Sequence, residues 1–516
     1  MNRKTLRGQL VVPLITFSLT VCLAGPSTGT TVPPGSDAPS APCVIDTVEF
    51  PSYPAIEPNI EFWKRVFGEW SLGQVVVHDL DHPGIIYDVV DLPGPIEERY
   101  TEEQQDFIEQ LNKHWQDRLA ALAGKVSARA ELDDAEKRLA LDITIEAGSM
   151  AIEKADERVR TQRGLRERFR RGLEISHRYE PAIRETLRER GLPVDLAFLP
   201  HVESSYQAAA RSSAGAVGVW QFTRSTGRRF MTINSAVDER LDPILASRGA
   251  AGYLTEAHER LGDWPLALTS YNHGLNGIVR ATEQHGSDYE SVFLEYRGRL
   301  FGFASKNFYS EFLAARDVAC HPETYFPEGV RPEPVHDYEE IVTEGRTTPA
   351  RIANSYGIAL DDLASINPAW SRRAVRSGLP IPSSSTVWLP NGTLDGLAAS
   401  GVDLAAPWSR SLEEDGAYVV QSGDTLSTIA QAYGISLSRL REINSIPRGK
   451  SLIRVGQRLR VSAGAAAVDP LVHVVRTGDT LIRIAVSYGV RLADLLLHNG
   501  LRLDSTIYPG QQIRIP

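Results

Sequence analysis

Cysteine and methionine are scarce in this sequence, three of each among 516 residues. Three cysteines allow one disulfide at most. Positive charge is not in excess either: 55 lysines and arginines stand against 65 aspartates and glutamates, a formal net charge of −10. Nucleic acid selects for clustered positive charge, so this balance argues against it as a partner. The arginine-dense stretch from Arg158 to Arg190 is interleaved with glutamates and reads as a solvated helix face. Beyond the N-terminus no run is long and apolar enough to cross a bilayer. What remains is an ordinary globular composition, 42% hydrophobic and 23% charged, in a chain long enough to divide into several domains.

The N-terminus has the order of an export signal. Arg3, Lys4 and Arg7 precede an apolar stretch from Leu10 to Leu23, and small residues follow. This predicts a signal peptide over 1–24 and a Pro/Ser/Thr/Gly linker over 25–44. Cys22 lies in "LTVC", which resembles a bacterial lipoprotein box. Val21 stands where that box has a small residue, which argues against lipidation and leaves a lipid anchor at Cys22 an open alternative. Export gives Cys43 and Cys320 two readings, a disulfide formed in an oxidising compartment or two buried thiols.

Residues 45–170 carry amphipathic patterns such as "EEQQDFIEQLNKHWQDRLAALAGKV" and predict a helical support without chemistry of its own. From 171 to 325 the helical segments shorten, and polar, glycine and aromatic residues fill the breaks, where sites tend to sit. The C-terminal part repeats itself. "YVVQSGDTLSTIAQAYGISLSRLREIN", from Tyr418, matches "HVVRTGDTLIRIAVSYGVRLADLLLHN", from His473. A worn copy lies upstream, with Ile352, Ala353, Tyr356, Gly357, Leu363 and Asn367 at the same spacing. The copies span 336–390, 417–462 and 472–516, with linkers over 391–416 and 463–471. Asp424 and Asp479 precede apolar-periodic segments and predict helix caps.

These copies resemble the lysin motif, a βααβ module that binds N-acetylglucosamine-containing glycans. The resemblance implies sugar contacts from the first strand–helix loop: Gly423, Asp424, Thr425 and Leu426 in one copy, Gly478, Asp479, Thr480 and Leu481 in the other. Modules joined by flexible linkers gain affinity through effective concentration.

Chemistry concentrates around "LPHVESSYQ", residues 199–207. On a helix, Leu199 and Leu196 share a face with Glu203. A carboxyl set among apolar side chains has its charged form disfavoured, and the end of a helix near Ser204 pushes the same way. Pro200 predicts a bent or late-starting helix. A glutamate held protonated is what general-acid cleavage of a glycosidic bond needs. No aspartate or glutamate occurs between Glu203 and Asp238, so the partner carboxylate of most glycoside hydrolases is not local. Gly218 suits close backbone approach to a sugar. Gln221, Tyr271 and Asn272 are site candidates, whereas Trp220 and Phe222 read as core. His201, His258 and His273 lack metal-ligand company, and neither metal nor cofactor is expected.

Glu203–Ser204, the Gly-x-x-Gln of Gly218 to Gln221, and Ser270–Tyr271–Asn272 follow in an order that resembles the membrane-bound lytic murein transglycosylase D group, over about Gly191 to Asp317. The resemblance implies a multi-domain, mainly α protein: a helical N-terminal region, a goose-type lysozyme-like α+β catalytic domain, then three lysin modules. It implies a periplasmic protein, with outer-membrane association an alternative, acting on peptidoglycan glycan strands, while the linkers and separate modules suggest a monomer and leave oligomeric state open. Glu203 would be acid and base, Ser204 would orient substrate or carboxylate, Gln221 and Asn272 would bind sugar, and Tyr271 would support the acid. A tyrosine usual in the last helix of the site falls on Phe308, with Tyr309 beside it. Two alternatives stay open: a hydrolase with a carboxylate brought from elsewhere in the fold, and a non-catalytic wall-binding scaffold.

Overall fold

The computed structural model describes residues 45–399 except 344, together with parts of 417–515. Helix α1 (Glu57–Gly68) opens the chain and buries Phe62, Trp63, Val66 and Phe67. A sheet follows that the helical reading of 45–170 did not contain: β1 (Gln74–Asp79), β2 (Ile86–Asp91) and, much later, β3 (Val159–Arg163). The strands run antiparallel in the order β2-β1-β3. Three successive β-branched valines form the centre of β1, and strand alternation sends them to opposite faces. Val76 enters the main core, while Val77 joins a second core with Tyr87, Trp115 and Leu119. The amphipathic helices expected here are present as α2 (Glu102–Ser127) and α3 (Asp134–Ala147). A capping box between Thr101 and Gln104 starts α2 by satisfying N–H groups that a helix start leaves unpaired.

The expected boundary near residue 170 does not separate two cores. Helix α1 and the long arginine-rich α4 (Arg166–Glu189) pack into one core with the helices that follow. Ion pairs such as Arg166–Glu328 and Arg184–Glu180 occupy the outer face of α4, as a solvated helix face requires. After a 3₁₀ turn at Val194–Phe198 come α5 (Leu199–Ser204), α6 (Arg224–Gly227), α7 (Pro243–Leu261), α8 (Trp264–His273), α9 (Leu275–His285), α10 (Tyr289–Glu295), α11 (Phe303–Cys320) and α12 (Pro322–Tyr325). Asn307 on α11 accepts from Asn59 Nδ2 at 2.8 Å and Trp63 Nε1 at 3.3 Å, fastening α1 across it. Asp46 is held the same way: its carbonyl accepts from Arg316 Nη1 at 2.9 Å, and its N–H donates to Asp195. Cys320 is disulfide-bonded; Cys43 and Cys22 lie outside the described residues.

The first repeat folds as β4 (Tyr338–Val342), α13 (Pro349–Tyr356), α14 (Leu360–Ser365), an additional short helix α15 (Arg372–Ser377), and β5 (Thr386–Pro390) antiparallel to β4. It is docked rather than free. Ile352, Leu363, Trp370 and Trp388 share a core with Val237, Ile244 and Leu245. Trp388 Nε1 donates to Asp242 Oδ2 at 2.7 Å while the other oxygen caps α7. The stretch expected as a linker from 391 begins with helix α16 (Thr393–Ala399), whose Leu394 and Leu397 pack on this core.

The later repeats pair β6 (Ala417–Val419) with β7 (Arg458–Arg460) and β8 (Val472–Val474) with β9 (Gln512–Arg514). One asparagine performs the same task in all three copies. Asn367, Asn444 and Asn499 each donate to a carbonyl four residues back and to the closing strand, and accept from an N–H of that strand. The repeat asparagine is therefore the clip between second helix and last strand.

Candidate active site

Helix α5 begins at Leu199 with Pro200 in its first turn, where the missing N–H costs nothing. It ends at Ser204, and both Ser205 (φ 49°) and Tyr206 (φ 57°) take left-handed conformations. Successive non-glycine residues there are strained, a feature that gathers at functional sites. Tyr206 locks the turn by donating to Ala197 O at 2.6 Å. Leu196 and Leu199 are fully buried beneath the helix.

Glu203 is half-buried, and protein crowds around its carboxyl. Burial, and then the neighbouring Glu311 carboxyl of α11, push its pKa up to about 8. Desolvation is the larger cause, as the apolar flank predicts. Glu311 is itself raised to about 8 by burial, with the Arg160 guanidinium of β3 acting in the opposite direction.

The remaining candidates converge on this helix end, with some altered roles. Ser204 Oγ is buried and donates to Val219 O at 2.9 Å, so it joins α5 to the Gly218–Gln221 turn. Gly218 has φ 83°, and a Cβ there would overlap the Arg240 carbonyl oxygen. Its close approach is therefore to another backbone segment rather than to open space for a sugar. Gln221, at φ 47°, donates from Nε2 to Gly218 O at 2.8 Å, leaving its buried Oε1 without a partner. Tyr271 donates to Trp220 O at 2.8 Å, and burial with the nearby Glu203 charge raises its phenol further. Asn272 is exposed and accepts from Ser305 Oγ at 2.8 Å. Tyr271 and Asn272 line a cavity of about 760 Å³ together with Arg229, Arg260, Arg280 and Arg299; Glu203 is not in its wall.

Phe308 stacks on Tyr271 with centroids 6.4 Å apart and planes 8° from parallel. Tyr309 turns away and donates to Pro51 O at 2.8 Å, so neither places a hydroxyl beside Glu203. Trp220 and Phe222 are core residues as expected, with Trp220 Nε1 held by Ser247 Oγ. His201 is buried against Phe169 and its pKa falls to about 3 through desolvation; His258 stacks on Trp264. Among the described residues no group of three His, Cys, Asp or Glu side chains stands where it can hold a metal ion.

Comparison with known proteins decides the class. A family model described as the transglycosylase SLT domain matches residues 180–293, and the LysM domain matches 418–462 and 473–516. The chain is a lytic transglycosylase. It is 27% identical over 348 residues to membrane-bound lytic murein transglycosylase D of Escherichia coli strain K12, covering 64% of this chain and 74% of that relative. Autolysin of Enterococcus faecalis is 39% identical over 111 residues, 19% of this chain and 15% of that protein. The N-acetylmuramoyl-L-alanine amidase sle1 of Staphylococcus epidermidis is 29% identical over 175 residues, 32% of this chain and 47% of its own. The LysM match does not extend to the first repeat.

Of the glycan-contact candidates in the LysM domains, Gly423, Asp424, Thr425 and Gly478 lie outside the described residues. Leu426 and Leu481 are buried in the cores of their modules, so they pack there instead of meeting a sugar. Asp479 bonds His473 Nε2 at 2.8 Å, and Thr480 O receives the Ile484 N–H. The charged residues that sequence reasoning missed are Glu311 of α11 and Arg160 of β3. The lack of acids after Glu203 favoured one-carboxylate chemistry and left any second carboxylate to come from elsewhere in the fold.

Proposed function

We propose that this lytic transglycosylase cleaves the β-1,4 bond between N-acetylmuramic acid and N-acetylglucosamine in peptidoglycan, with Glu203 as acid and then base. Glu203 gives its proton to the departing glycosidic oxygen. The resulting carboxylate takes the proton of the muramoyl C6 hydroxyl as that oxygen attacks C1, and a 1,6-anhydro sugar leaves. Protons balance and water takes no part. The observation that carries this reading is a desolvated carboxyl above buried Leu196 and Leu199 at the strained end of α5, a setting that favours its protonated form. Gln221 and Asn272 would hold the sugars, Tyr271 the wall behind Glu203, and Ser204 the turn that presents Gln221.

The hydrolytic alternative needs an ionised second carboxylate. Glu311 is the candidate by position, but burial keeps it largely neutral at pH 7, which deprives it of basicity there. Mass spectrometry of muropeptides released from purified peptidoglycan tests the choice. Anhydro-muramoyl products that vanish in Glu203→Gln support the reading, and reducing-end products refute it.

The two LysM domains would anchor the enzyme to the wall it cuts. The first repeat shares their asparagine clip, and we read it as a degenerate lysin motif that now braces the catalytic core. The N-terminal segment would direct export to the periplasm, where Cys320 would pair with Cys43. Asp46, three residues beyond Cys43, is bonded to Arg316 one turn before Cys320, which favours Cys43 over Cys22. A non-reduced digest lacking the Cys43–Cys320 crosslink refutes that pairing.

A further inference from the structure

The cavity that Tyr271 and Asn272 line has about 760 Å³, within the range of about 300–1,000 Å³ typical of ligand cavities. Four separate segments bring arginine to it: Arg229 from the turn after α6, Arg260 from the end of α7, Arg280 from α9, and Arg299 from the stretch between α10 and α11. Glu256 is the one acid among its lining residues, although acids outnumber bases in the chain as a whole. That carboxylate is already engaged, since both of its oxygens accept from Arg229 Nη2, at 2.8 and 2.7 Å. Arg260 Nη1 donates to Asn276 Oδ1 at 3.2 Å. Arg280 and Arg299 are exposed, and neither forms an ion pair among the described residues. Positive charge left over in a concave wall attracts anions. The cavity is tied to the acid through the Gly218–Gln221 turn: Ser204 Oγ donates to Val219 O, and Tyr271 donates to the next carbonyl, Trp220 O.

We propose that this cavity is a specificity site for the acidic peptide stems of the glycan strand, with Arg280 and Arg299 holding a stem carboxylate; the inference rests on peptidoglycan being the substrate. The N-acetylated sugars carry no charge of their own, whereas the stems attached to the muramoyl lactyl groups bear free carboxylates. A guanidinium fork presents paired N–H donors that match the two oxygens of a carboxylate. Glu203 lies outside the wall while Tyr271 belongs to it, so the cavity suits what hangs from the sugar chain rather than the bond being cut. The arginines would then select strands by what they carry and leave cleavage to Glu203. Stripping the stem exposes a second source of the same chemistry, the lactyl carboxylate itself, and the two sources are separable by substrate.

The test compares soluble glycan strands that keep their stems with the same strands after an amidase has removed them, which leaves a lone carboxylate on each lactyl group. Full-length parent and the Arg280→Gln/Arg299→Gln double variant are assayed on both, with products followed by mass spectrometry. In the double variant, kcat/KM for stem-bearing relative to stripped strands falls about 3- to 10-fold, through KM rather than kcat, the loss expected of two solvent-screened ionic contacts. Added salt weakens the parent's preference in the same direction and changes the variant's less. Arg280→Gln alone carries the test, with a smaller shift, if the double variant does not fold. An unchanged ratio overturns the proposal. An equal loss on both kinds of strand also overturns it, by placing the arginines on the sugar chain, and a ratio that rises does so by placing them on the lactyl carboxylate. An unchanged ratio with anhydro products intact refutes this site alone; reducing-end products from the parent refute the transglycosylase chemistry and leave the ratio to decide the arginines.

Discussion

Replacing Glu203 with glutamine removes the acid and should also stabilise the protein, in a pH-dependent way. In the unfolded chain this carboxyl titrates near its ordinary value of 4.5, and in the folded protein near 8. The folded state therefore binds the proton more tightly. The parent's stability from this group is complete below the lower value and is lost as pH rises toward the upper one. Glutamine titrates in neither state, so the variant pulls ahead across that window. Each pH unit inside it is worth at most about 1.4 kcal/mol, or roughly 2.7 kcal/mol between pH 5 and pH 7. Partial exposure screens the carboxyl, so about half of that, ~1–2 kcal/mol, is the expected gain. For a core of this size each kcal/mol moves the midpoint by about 2–4 °C. Thermal unfolding of full-length parent and Glu203→Gln, followed through the catalytic core at pH 5, 6 and 7, measures it. A parent–variant difference that stays constant over this range refutes the burial of the acid and the argument for its protonation together.

Gly218→Ala should unfold the turn that presents Gln221: φ 83° alone costs a β-carbon about 1–2 kcal/mol, and overlap with Arg240 O adds to it, so both midpoint and cleavage rate fall. Trp388→Phe should lower the melting of the catalytic core, not glycan binding, because it leaves a buried Asp242 oxygen without its donor at about 1–3 kcal/mol; unchanged melting with weaker sacculus binding would mean that the first repeat still grips glycan. Deleting residues 417–516 should reduce co-sedimentation with sacculi by about tenfold or more, through lost effective concentration, while cleavage of short soluble glycans keeps its parent rate; a drop in that rate would place the LysM domains inside the catalytic step.

Periodic and repeated features were legible in the sequence because they depend on local rules. The repeat asparagines at 367, 444 and 499 stood at matching positions and make matching bonds. The apolar flank of Glu203 announced its burial, and Pro200 the late start of α5. The N-terminal sheet was not legible, since β3 pairs with β1 across 79 intervening residues and its "VRTQR" sequence has no alternation to mark it. Three valines in β1 were the available sign, but they were outweighed by the long helical patterns around them. Glycine and serine roles were misread for a related reason: Gly218 and Ser204 have the residue types of a sugar-binding loop, and only the packed fold shows that Arg240 O and Val219 O take up that freedom.

The acid-free stretch after Glu203 supports one-carboxylate chemistry only as far as sequence neighbours stand for spatial ones, and at this site they do not. Glu311 lies more than 100 positions away yet raises the pKa of Glu203, because α11 packs across α5 and α8. What separates the two mechanisms is therefore not the presence of a second carboxyl but its protonation. A carboxyl that burial keeps neutral cannot activate water, and only Arg160 moves Glu311 toward the charged form.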